Sequence, residues 1–159
     1  MVADAWIEQN SPRSNKGRDT TLKVKSQARS DNFRTLVQFS LPPDLPEGCR
    51  LTSATLRLFA TSWTNGRSLH AWRIAAPWAE LQVTWANQPG TAGTPAVTPS
   101  GRGNRDWDVT AHLATMLDTG ANHGFLIRDA VESGRGYEQS FAARELRNRP
   151  QLILHLGNG

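Results

Sequence analysis

The segment Ser53-Ala-Thr-Leu-Arg-Leu-Phe-Ala-Thr61 alternates strictly: Ala54, Leu56, Leu58 and Ala60 fall on one face, Thr55, Arg57 and Phe59 on the other. A period of two cannot line one stripe of a helix, but it buries one face of a strand. Shorter runs of the same kind occupy residues 3–9, 20–26, 33–40, 68–74, 81–85, 124–128, 137–142 and 151–156. Clusters of Pro, Gly, Asn and Ser separate them at 11–17, 42–48 and 64–66, and along 87–104, which reads as a long loop. Many short strands with polar punctuation predict an all-β fold, a jelly-roll β-sandwich of two antiparallel sheets, rather than an α/β architecture.

One segment departs from period two. In Asp108-Val-Thr-Ala-His-Leu-Ala-Thr-Met-Leu-Asp-Thr-Gly120, the residues Leu113, Met116 and Leu117 fall at i, i+3 and i+4. Asp108 or Thr110 caps the start and Gly120 ends it, which predicts a short helix over 109–117. The chain's 159 residues suit a single module over 1–159, excised from or part of a larger secreted or surface protein. No apolar run approaches the ~20 residues of a spanning helix, so membrane insertion is not expected. The opening Met1-Val-Ala-Asp-Ala-Trp6 has neither the basic nor the apolar region of an export signal. One cysteine, Cys49, excludes an internal disulfide framework. Arginine dominates the bases, 15 against 3 lysines, for a net charge of +4. That excess permits a nucleic-acid partner, but the scattered arginines do not argue for one.

A set of tryptophan-centred phrases is more specific. Ala3-Asp-Ala-Trp-Ile7 is followed by Arg34-Thr-Leu-Val-Gln-Phe39, then by Trp78-Ala-Glu-Leu-Gln-Val-Thr-Trp-Ala-Asn-Gln-Pro89 and Trp107-Asp-Val-Thr110. Asn122-His-Gly-Phe-Leu-Ile127, Phe141-Ala-Ala-Arg-Glu145 and Arg149-Pro-Gln-Leu152 complete the order. Over nearly its whole length the chain resembles the DNRLRE domain family. That family is similar to the disaggregatase-type repeat and to bacterial carbohydrate-binding modules attached to polysaccharide lyases. The chain departs from the usual pattern at Ser40 and Ala143. The resemblance implies a jelly-roll accessory module of extracellular bacterial or archaeal proteins, non-catalytic, beside neighbouring domains of a parent chain. Fold follows from such a likeness more directly than function does.

The residues agree that catalysis is not the task. No Gly-x-Ser-x-Gly elbow or phosphate-binding Gly-rich loop is present, and His70, His112, His123 and His155 share no metal-ligand spacing. Asp106 and Asp108 share a strand face, yet read more simply as a strand end and helix cap. No cofactor is expected. Jelly rolls often hold a structural calcium, to which the 10–19 loop and Asp129 can offer oxygens, but no contiguous calcium loop is present and the metal stays unassigned.

Six tryptophans are the chemical excess. Indole faces stack on pyranose rings and also build cores. Trp78, Trp85 and Trp107 sit beside Pro, Thr and Asp and read as core. Trp6, on the polar side of its strand with Asp4 and Glu8, is left either exposed or covering an edge. Trp63, before the turn Thr64-Asn-Gly66, and Trp72 are the ligand-facing candidates. Arg57, Arg67 and Arg73 lie on or beside the same hairpin, where guanidinium groups would grip carboxylate-bearing sugars bidentately. Arg34 or Arg144 is expected to pair structurally with a carboxylate, Glu80 being the acceptor named, while Arg144 and Glu145 should point apart. The leading reading is a polysaccharide-binding module, acidic polysaccharide included. The alternative is a structural or adhesive spacer of a bacterial surface or toxin-like protein, with no small ligand.

Overall fold

A computed structural model describes residues 2–29 and 31–159, and the alternating segments appear in it as antiparallel strands. In chain order they are β1 (Ala3–Glu8), β2 (Thr21–Gln27), β3 (Phe33–Gln38), β4 (Cys49–Ala60), β5 (Ser68–Ile74), β6 (Thr91–Pro99) and β7 (Gly103–Asp108). After helix α1 (Thr110–Thr119) come β8 (Phe125–Asp129), β9 (Arg135–Ala142) and β10 (Gln151–Asn158). The fold is mostly β, with 6% helix, which leaves α1 the role of a plug rather than a layer.

Two wide regions face each other. In one, β3 lies between β1 and β8, and β8 continues to β5 and β6. In the other, β4 lies between β10 and β7. The β2–β9 pair joins them, touching β3 at Lys25↔Phe33 and β4 at Ala60↔Phe141, so the two expected sheets form one curled hydrogen-bonded network. Between the regions lies the main core: Leu56 and Leu58 of β4, Trp107 of β7, Phe125 and Ile127 of β8 and Phe141 of β9. Leu113 and Met116 of α1 close it. The C-terminal end is as its sequence suggests, with Gly120 left-handed at φ 74°, although the helix runs two residues past the expected end. At the start the N-cap position falls to Val109, which gives no side-chain cap, while the Asp108 carboxylate one residue earlier accepts the Thr110 N–H at 3.1 Å.

A second, smaller cluster sits on the outer side of the β1-β3-β8-β5 region. Ala5, Ile7, Leu36, Ile74 and Leu126 face outward there and are covered by Val83, with Trp78 and Trp85 packed against them. Strand β1 therefore buries both faces: Ala5 and Ile7 beneath this cover, Asp4 and Trp6 on the other side.

Two local expectations fail. Residues 81–85 are not a strand but a set of turns, because their backbone groups bond locally or to side chains: Val83 N–H donates to the Ala79 carbonyl, and Asn87 caps both Thr84 and Gln82. The Asn15 amide pins this cover by donating to the Glu80 and Val83 carbonyls, each at 2.8 Å. The supposed 87–104 loop contains all of β6. Its Gly93 (φ 81°) and Pro95 are accommodated because the register slips between Ala71 and Arg73 and because β6 pairs on one side with β5 alone.

Candidate functional site

The five residues expected to form a sugar platform lie in separate places. Strands β4 and β5 do not pair, so they form no hairpin; the 61–67 connection passes between the two regions. Trp63 is 59% exposed in that connection, and its neighbour Thr64 donates to the Glu138 carbonyl of β9. Arg57 lies on the outer face of β4, gripping Asp106 with two hydrogen bonds of 2.8 and 2.9 Å. Arg67 is committed to Asp129, a carboxylate buried to 2% exposure, through bonds of 2.9 and 2.7 Å, and its guanidinium stacks on Tyr137. Arg73 lies opposite Phe125 of the main core and beside His112. Burial and that guanidinium hold the His112 imidazole below its usual range. Of the five, only Trp72 belongs to the outer face shared by β5 and β8.

Trp72 stands across from Leu126 there, and His70 across from Arg128, so all four share that face. On the adjoining β3, Leu36 pairs with Leu126, which puts Arg34, two residues away, on the same side. Arg34 is held on three sides. Its Nε and Nη2 donate to Glu132 at 3.0 and 2.6 Å, its Nη1 to Gln88 at 2.7 Å, and its plane lies 4.4 Å from the Trp85 ring centre. Arg128 reaches the same Glu132 oxygen at 2.9 Å. Two guanidinium groups therefore share one carboxylate, which leaves a local excess of one positive charge.

The crowding has an electrostatic consequence. Burial pulls the Arg128 guanidinium below its usual range; Glu132 lifts it, and Arg34 pulls it down again. His70 is likewise pushed down, by burial first and Arg128 second, so it stays neutral at neutral pH. A cavity of about 270 Å³ opens beside these groups, lined by Arg34, Gln88, Pro89, Thr91, Leu126 and Arg128. An incoming anion would relieve the repulsion between the two cations without breaking a core contact.

The remaining tryptophans are structural to different degrees. Trp107 is fully buried and donates to the Leu69 carbonyl at 3.0 Å. Trp6, on the edge strand β1, is not exposed: it is 5% accessible and donates to Asp19 at 2.8 Å. Trp78 and Trp85 are half-buried in the cover, Trp78 donating to the His123 carbonyl at 2.7 Å. Glu80 pairs with Arg144 at 2.8 Å and also accepts the Asp4 N–H at 3.0 Å. Arg34 takes Glu132 instead of Glu80. Arg144 and Glu145 do not point apart: β9 ends at Ala142, and in the turn beyond it the Arg144 Nε approaches the Glu145 carboxylate to 3.6 Å. Asp129 and Asp19 are engaged by Arg67 and Trp6 respectively. Among the described residues no three His, Cys, Asp or Glu side chains converge as a metal cluster would.

Arg128, Glu132 and Gln88 join the site without having been marked by the sequence patterning. A signal for Arg128 exists, since it alternates in phase with Leu126; Glu132 and Gln88 come from loops with no periodicity. Among known families, residues 1–156 match the model of carbohydrate-binding module family 96. No curated protein matches the chain.

Proposed function

The chain belongs to carbohydrate-binding module family 96, and we propose that it binds acidic, uronate-bearing polysaccharide on the outer face of β3, β8 and β5. The observation that carries this reading is the pair Arg34 and Arg128 sharing Glu132 beside a cavity, with the half-buried Trp85 ring over Arg34 and the half-buried Trp72 across from Leu126 on the same face. A guanidinium matches a sugar carboxylate in two parallel hydrogen bonds, which an ammonium cannot do. Arg128 is the cation that engages the ligand, because Arg34 is already saturated by Glu132, Gln88 and Trp85. Trp72 supplies the apolar surface on which a pyranose face rests. Nothing in this arrangement performs bond-making chemistry; its work is retention of a polymer near whatever the parent protein carries. The DNRLRE likeness and the habit of such modules support an extracellular or cell-surface setting in a bacterial protein.

The two side chains have separable signatures. Trp72→Ala should weaken uronate and neutral oligosaccharides alike, by about tenfold, whereas Arg128→Ala should weaken uronates alone and flatten their salt dependence. Titration calorimetry at two ionic strengths reads both effects. Absence of binding to any glycan by the unaltered protein would hand the case to a spacer domain.

A further inference from the structure

The opposite outer face carries charge that the β3-β8-β5 site does not use. On the β10-β4-β7 region, Gln151 lies across from Arg57 and Arg57 across from Asp106, so this row points away from the core that Leu56 enters. Phe59, two residues along β4, is half-exposed on the same face, opposite Asn104. The 144–149 turn brings Arg147, Asn148 and Arg149 over this surface, enclosing a cavity of about 200 Å³ with Arg57, Phe59 and Asn104. A second cavity, of about 540 Å³, shares Arg149 and Gln151 with the first and continues past β10 to Phe39 and Ser40.

The charge balance is uneven. Asp106 is spent on Arg57, and that bond lowers the Asp106 carboxyl from its ordinary range and raises Arg57. Arg147 and Arg149 are exposed and make no ion pair or side-chain hydrogen bond among the described residues. Two cations thus border an elongated path with side-chain amides at Asn104, Asn148 and Gln151 and one half-exposed aromatic ring, Phe59. Amides pair with hydroxyls and guanidinium groups with anions. Single-stranded nucleic acid would instead want a series of exposed rings for successive bases, whereas Phe59 is half-exposed and Phe39 is buried.

We infer that this groove is a second saccharide site, taking a carboxylate- or sulfate-bearing segment through Arg147 and Arg149. The two sites then lie on opposite outer faces with the core between them, so one module bridges two polymer chains. The bridging rests on the proposed function of the first face; the groove does not.

Amide shifts in a ¹⁵N-labelled sample separate the two sites at weak affinity. Titration with an oligogalacturonate hexamer should move the Leu126 and Arg128 signals and, independently, those of Asn148 and Gln151. The double variant Arg147→Ala/Arg149→Ala, at exposed and unpaired positions, should weaken the second set by about tenfold and leave the first unchanged. Arg128→Ala should do the reverse, and a sulfated oligosaccharide of equal length shows which anion the groove prefers. With long polyuronate, the unaltered protein should form a cross-linked precipitate that neither variant forms. Shifts confined to the first set would overturn the groove and leave the proposed function standing. Shifts confined to the second would overturn bridging together with that function. Stronger movement of the second set by a thymidine oligonucleotide than by either saccharide would replace the inference with nucleic-acid binding.

Discussion

Asp4 is 1% exposed, with Glu80 and Glu145 close by and the Arg144 N–H donating to one carboxylate oxygen at 2.8 Å. Burial pushes its pKa up to about 7 from 3.8; the Arg144 bond opposes this, and the two glutamates add to it. The folded state therefore holds a proton that the unfolded chain releases near pH 4. The stabilisation linked to that proton is complete below about pH 4 and lost as pH rises to about 7, roughly 4 kcal/mol for the full shift. Asp4→Asn keeps an acceptor and cannot titrate. Stability of the unaltered protein relative to this variant should fall by several kcal/mol between about pH 4 and pH 8 in urea unfolding; parallel profiles would show that Asp4 ionises normally. The tryptophans divide on the same scale. Trp107→Ala opens a cavity in the main core and should cost ~3–5 kcal/mol, while Trp85→Ala, at the half-exposed cover, should cost only about 1–2 kcal/mol. Equal losses would mean that the cover is as deep as the core. Arg67→Ala strands the buried Asp129 carboxylate and should lower stability by about 3 kcal/mol without changing glycan affinity of the folded protein. A large affinity loss at full occupancy of the native state would restore Arg67 to the ligand site.

At the scale of elements, the segments legible in the sequence are those with one wet and one dry face. Strand β4 is the clearest: Ala54, Leu56, Leu58 and Ala60 are buried while Thr55, Arg57 and Phe59 are not. Strand β6 hides because an edge strand bearing Gly93, Pro95 and Pro99 carries no hydrophobic alternation. The 81–85 segment misleads for the converse reason, since its alternation reflects a turn that dips Val83 into the outer cluster while Leu81 stays exposed. The candidate site depends on register across three strands, and a single sequence contains no cross-strand pairing. Arg34 and Trp85 consequently read as architecture, which they also are, and Arg57 and Arg67 read as free when each already holds a carboxylate. The junction of β8 with β3 gives an element-scale test. Gly124 has φ 82°, and a Cβ there would meet the Val37 carbonyl oxygen at 2.1 Å. Gly124→Ala should therefore force β8 away from β3 and cost about 2 kcal/mol or more, visible as a lower thermal midpoint. An unchanged midpoint would mean that this junction gives way freely.

Across the whole molecule, the sandwich supplies two broad outer faces and spends its carboxylates unevenly between them. Most arginines with a buried or half-buried head are neutralised where they stand: Arg57 by Asp106, Arg67 by Asp129, Arg144 by Glu80. Cations outnumber their partners at Arg34 with Arg128 and at Arg147 with Arg149, as they also do at scattered exposed positions such as Arg13, Arg102 and Arg135. On the proposed function, such a module would discriminate by ligand charge more than by ring shape and would bind weakly, because shallow sites leave sugar hydroxyls in competition with water. The most direct measurement compares a uronate oligomer with the same oligomer after its carboxyl groups are reduced to alcohols, each titrated into the unaltered protein and into Arg128→Ala. Read at the Leu126 amide signal, which reports the Arg128 site alone, reduction should cost the unaltered protein about tenfold or more in affinity, while Arg128→Ala should bind the two ligands equally there. Equal affinity of the unaltered protein for both oligomers would contradict recognition by charge.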